Sequence, residues 1–217
     1  MADGALRIYL DEGRRRTFAA ALDWPGWARS GKTAEAAIEN LQAYLPRFAP
    51  VVRRAGLEPP TADADVEIVE RVPGTATTDF GALGNAPKAD LAPIEPGETD
   101  RLVALLQAAW DTFDEVAATA PAELRKGPRG GGRDRDKIIA HVISAEASYI
   151  RSLGLRASTA GQEVPDPTWR PDVLDVLRNV RDGAPRTEKG WPPRYAARRI
   201  AWHVLDHAWE IEDRSVP

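Results

Sequence analysis

The stretch Trp202-His203-Val204-Leu205-Asp206-His207-Ala208-Trp209-Glu210-Ile211-Glu212-Asp213-Arg214 decides how this chain reads. Its apolar residues recur at helical spacing, and Ala196, Ile200 and Ile211 extend one stripe that carries both imidazoles. Residues four apart on a helix stand about 6 Å apart on one face, so His203 and His207 are predicted to point inward together. The only other histidine, His141, lies on a similar line with Ile138 and Ala145. A pair from one helix and a single histidine from a neighbour supply the kind of donor set from which metal sites are built inside bundles. Three protein ligands leave a coordination position for water or substrate, which is the stoichiometry of a catalytic ion. Glu210, seven residues after His203, is expected to hydrogen-bond a ligand or act as a fourth one, with Asp206 and Glu146 as further candidates for the supporting role. Three buried imidazoles with nothing to satisfy them would cost ~1–3 kcal/mol per unpaired group, which favours the metal over a purely structural set.

Outward from this helix the period stays helical. Residues 98–120, 134–153, 171–182 and 192–213 carry amphipathic patterns, punctuated by Pro121, Gly154, Gly183 and the Pro192-Pro193 pair. Four such helices predict an all-α four-helix bundle. The connection from 155 to 170 is long for a bundle, and such loops often lie over functional sites. Trp169 and Trp191, with Tyr149, are therefore expected to line a pocket at the mouth of the histidine cluster. The basic, glycine-rich run from Arg125 to Arg133 reads as a solvated loop that could grip an acidic substrate.

The first 72 residues have a different character. Residues 5–10 and 17–22 are short and apolar around a charged turn, which predicts a hairpin. A third extended stretch follows between Pro25 and Gly31. Thr33 then caps a helix through Leu45, with Pro46 near its end, and residues 65–72 alternate as a strand. These elements predict a small α+β module over 1–72, a linker over 73–97 rich in Pro, Gly, Thr and Ala, and the bundle over 98–217. Gly26-Trp27-Ala28-Arg29-Ser30-Gly31-Lys32-Thr33 satisfies the phosphate-loop pattern. The chain lacks the further βαβ units a nucleotide fold needs, and Trp27 and Arg29 are bulky for a loop that wraps phosphates.

Composition narrows the chemistry. Of 217 residues 43% are hydrophobic and 29% charged, the balance of a globular protein. Absence of cysteine excludes disulfides, thiolate ligands and a cysteine nucleophile, so any reacting sulfur must arrive with a ligand. The formal charge of -4, from 29 basic and 33 acidic residues, is not that of a general nucleic-acid binder. No apolar run approaches membrane-spanning length, and Met1-Ala2-Asp3-Gly4 does not open a signal peptide, so a cytoplasmic location is expected.

The residues from Arg133 through His141 to Glu146, together with Trp202 to Arg214, resemble the second and last helices of the DinB-like (YfiT-like) metalloprotein family. The resemblance covers about 98–217 and implies a bundle holding a divalent metal through His141, His203 and His207. Relatives of that family include thiol-dependent transferases and isomerases, in which the metal stabilises a thiolate. Phe18 to Trp27 and Ser30 to Leu41 resemble the HicB-like fold, in which Pro-Gly marks a strand bend. Trp24 and Trp27 replace smaller residues of that pattern, and a packing or dimerisation role is expected for the module.

These readings combine into one expectation. The chain would be a metal-dependent enzyme, using Zn, Ni or Fe with a low-molecular-weight thiol on a small electrophilic substrate, with a homodimer as its assembly and no membrane or nucleic-acid partner. The competing expectation is a non-catalytic metal-binding or stress-associated interaction protein whose HicB-like module binds a protein or RNA partner.

Overall fold

In a computed structural model of the chain, residues 5–127, 131–157 and 166–215 are described. The amino-terminal tetrapeptide read for a leader, the centre of the glycine-rich run (128–130) and most of the long connection (158–165) lie outside the described residues.

The sheet comes first. Strands β1 (Leu6–Glu12), β2 (Thr17–Ala21) and β3 (Ala28–Gly31) form an antiparallel meander, and β4 (Val66–Pro73) adds in parallel to β1, giving the order β3-β2-β1-β4. Register is set by Ile8 opposite Ala21 and Leu6 opposite Val66, with an irregularity between Ile8 and Tyr9. Alternation along β1 sends Leu6, Ile8 and Leu10 into one apolar cluster and Tyr9 into another. Both faces of the sheet are therefore covered. The parallel pairing of β1 and β4 needs a crossover, supplied by α1 (Ala34–Ala43) and α2 (Leu45–Arg54).

Thr33 caps α1 as expected, its hydroxyl accepting from the Ala36 amide at 3.2 Å. The sequence reading misses α2 because Pro46 looks like a stop. Pro46 instead occupies the first turn of a new helix, where its missing N–H is no loss, and Phe48, Val51 and Val52 face the core. The phosphate-loop pattern has an ordinary structural explanation. Gly26 turns at φ 98°, where a Cβ would meet Leu205 at 2.7 Å, and Trp27 is buried with its indole N–H donating to the Leu41 carbonyl at 2.8 Å. Residues 28–31 form an extended edge strand paired with β2, not a loop that wraps around a phosphate.

The segment 73–97 holds more structure than the expected linker. It contains α3 (Ala76–Phe80) and a 3₁₀ turn (Lys88–Leu91), and it buries Leu83, Ile94, Thr78 and Asp90. Asp11, fully buried on β1, accepts from the Thr78 hydroxyl at 2.9 Å and from the Gly84 amide at 2.5 Å. Arg194 donates to the Ala92 and Pro93 carbonyls at 2.5 and 2.8 Å and pairs with Glu98. A Pro- and Gly-rich composition hides these ties, because they are made by backbone groups and by partners 67 to 102 residues away.

The carboxy-terminal region comprises α4 (Pro96–Thr119), α5 (Arg135–Tyr149) continued by a 3₁₀ turn (Ile150–Leu153), α6 (Arg170–Asn179) and α7 (Pro193–Ser215). Helix α7 is buried along most of its length. One apolar cluster contains Ile8, Leu41 and Phe48 of the sheet side together with Leu105, Trp110, Ile138, Leu177 and Leu205 of the helical side. Each such Leu, Ile or Phe contributes roughly 1.5–3 kcal/mol of transfer free energy. The sheet and the helices thus share a hydrophobic interior, and the described residues form a mixed four-stranded sheet plus seven α-helices.

Candidate metal centre

Helix α5 and helix α7 bring the three histidines together. His203 and His207 lie one turn apart on α7, with ring centroids 4.7 Å apart, and His141 of α5 faces both at 5.2 and 4.9 Å. One ring nitrogen from each can be chosen so that all lie within 4.8 Å of one another. His203 is 8% exposed, while His141 and His207 are half-buried, so the cluster is reachable from one side.

The electrostatics hold imidazole in its ligating form. Burial pushes His203 well below the ordinary imidazole range, and the charges of His207, Arg199 and His141 act in the same direction. Burial, then His207 and Arg133, lowers His141 as well. Neutral imidazole has a lone pair to offer a metal, whereas imidazolium has none.

Glu210 is where the stripe reading placed it. Its carboxylate accepts from His207 Nδ1 at 2.7 Å and from Arg214 at 2.7 Å. The bond from His207 holds the Glu210 carboxyl below its usual range. With Nδ1 engaged, Nε2 is the nitrogen of His207 left to bind an ion, the usual function of a carboxylate behind a histidine ligand. Glu210→Gln should weaken the affinity for a divalent ion roughly tenfold, read by competition with a colorimetric chelator; unchanged affinity would remove Glu210 from the centre.

Asp206 and Glu146, the other candidates for support, are engaged elsewhere. Asp206 pairs with Arg29 of β3 at 2.5 Å, and that guanidinium lies 3.4 Å over the Tyr44 ring. A helical wheel places Asp206 beside His207 but cannot show that a strand arrives to claim it. Glu146 is fully buried and accepts from Trp110 Nε1 at 2.9 Å, Trp169 Nε1 at 2.7 Å and Arg170 Nε at 3.2 Å. It ties α4, α5 and the start of α6 into one polar knot. Glu146→Gln should lower stability by about 1–3 kcal/mol in denaturant unfolding, because an amide cannot accept on both sides, while the metal affinity stays as in the wild type.

The aromatic residues divide likewise. Tyr149 meets the His203 ring edge-on at 5.6 Å, and Trp191 lies against Tyr149 at 5.4 Å, so both stand beside the cluster. Trp169 is 3% exposed and belongs to the Glu146 knot. The sequence reading overlooks Arg199, whose spacing was the available signal: it precedes His203 by four residues and so falls on the same face of α7.

Among the described residues, no other group of three or more His, Asp or Glu side chains has this convergence. The donors fit a divalent transition ion: three imidazole rings, one oriented by a carboxylate, on two helices packed in a shared core. No protein-family model, curated protein or solved structure matches the chain. No helix of the described residues is long and apolar enough to cross a membrane.

Proposed function

We propose that this protein binds one divalent transition metal, Zn, Ni or Fe, through His141, His203 and His207, and uses it in an enzymatic reaction of the DinB-like kind. The convergence of three imidazole nitrogens within 4.8 Å carries this reading. When bound, such an ion supplies Lewis acidity and lowers the pKa of a water or thiol that occupies its open position. The residues around it have separate duties. Glu210 fixes the tautomer of His207, and Arg214 fixes Glu210. Tyr149 and Trp191 wall the His203 side and restrict water there. With no cysteine in the chain, a thiol-dependent transfer or isomerisation would draw its sulfur from a low-molecular-weight cosubstrate and act on a small electrophile.

Metal analysis of protein purified without an affinity tag tests the reading. About one transition ion per chain after dialysis is expected. A chain that holds none, and that takes up none from added zinc, nickel or iron(II), would leave the non-catalytic interaction protein as the better account.

A further inference from the structure

Three arginines of the first two turns of α7 are buried, and two of them are matched. Arg194 pairs with Glu98, and Arg198 pairs with Asp90. Arg199 has no such partner. It is 5% exposed, forms no ion pair or hydrogen bond among the described residues, and one of its terminal nitrogens, Nη1, is sealed from solvent without an acceptor. The charge of Arg199 acts on Asp11, but the oxygens of Asp11 are taken by Thr78, Gly84 and Asn85.

The position of this free cation is informative. The Arg199 guanidinium carbon lies 4.8 Å from the centre of the Tyr149 ring and 4.9 Å from that of Trp202. Tyr149 also touches the His203 ring, so the guanidinium and the metal-ligand candidate flank the same phenol. Burying a guanidinium N–H without an acceptor is costly, and nearby aromatic rings offset only part of that cost. A bound anionic ligand would complete such a group. The rings supply no hydrogen-bond acceptor to its N–H groups, and a planar carboxylate would match a guanidinium with two parallel hydrogen bonds.

We propose that Arg199 anchors the carboxylate of a small ligand whose other end reaches the three-histidine centre. This rests on the metal-binding reading above. The ligand class is thus a short carboxylic acid bearing a second donor group a few bonds away.

Protein loaded with Co²⁺ allows a direct test by visible absorption. Mercaptoacetate and 3-mercaptopropionate would be titrated against the neutral 2-mercaptoethanol and 3-mercaptopropanol, which share the thiol and lack the charge. At least one acid should bind about tenfold more tightly than its alcohol, the effect of a charge-assisted hydrogen bond. Arg199→Gln should erase that preference with cobalt still bound, and Arg199→Lys should retain part of it. Equal binding of acids and alcohols to cobalt-loaded wild type overturns the anchor and leaves the metal reading intact, a comparison that depends on neither variant folding. A preference that survives in Arg199→Gln also overturns it. Failure of the wild type to bind cobalt overturns both.

Discussion

His203→Ala is expected to lower divalent-metal affinity by more than roughly 100-fold, since loss of a residue merely supporting a ligand already costs 10–100-fold. His203 is the most enclosed of the three, its ring meeting both His141 and His207 as well as Tyr149. The measurement is competition with a chelator of known affinity, joined to thermal unfolding with and without added zinc. An ion present at a hundred times its Kd stabilises the wild type by about 2.7 kcal/mol. The variant should gain almost none of that stabilisation, while its metal-free melting temperature stays close to that of the metal-free wild type. Zinc affinity equal to that of the wild type would place the ligands elsewhere.

Asp90→Ala is expected to cost about 3–5 kcal/mol of folding stability, measured as a shift in the denaturant midpoint at unchanged slope. Asp90 is 1% exposed and Arg198, its partner, is 2% exposed, so the alanine leaves a buried cation with only the Leu22 carbonyl and the Tyr9 ring for company. Much of that penalty should return to the fold in the double variant Asp90→Leu with Arg198→Met, because a buried pair replaced by apolar residues of similar size loses no uncompensated charge. An Asp90→Ala protein as stable as the wild type would show that residues 88–91 do not lock onto α7 as the structure has them.

Helices with a clear 3.6-residue period were legible in the sequence. The stripe Ala196, Ile200, His203, His207, Ile211 is set by neighbours in sequence, so it fixes which side chains of α7 share a face. The hairpin of β1 and β2 and the cap at Thr33 were legible for the same local reason. The elements that were missed depend on partners far along the chain. Pro46 marks an end or a start depending on what Phe48 and Val52 can pack against. The Pro- and Gly-rich segment 73–97 has no period, yet Asp11, Arg194 and Arg198 each fasten it.

The same division runs through the metal centre. Spacing alone put His203, His207 and Glu210 along one face, because four and seven residues come within about 40° and about 20° of whole turns. Asp206 and Glu146 project off the histidine stripes of α7 and α5, and nearness along a helix does not assign a carboxylate. Arg29 arrives from a strand 177 residues away to take Asp206, and Trp110 and Trp169 take Glu146. Sequence by itself determined the donor chemistry of this protein: three imidazoles, no thiol, and a carboxylate in step with two of them. Tertiary structure alone decided that His141 meets the pair on α7 and that Arg199 stands beside them without an ion-pair partner among the described residues. Helical period is a local property of the chain, whereas the pairing of buried charges follows from which distant segments pack together.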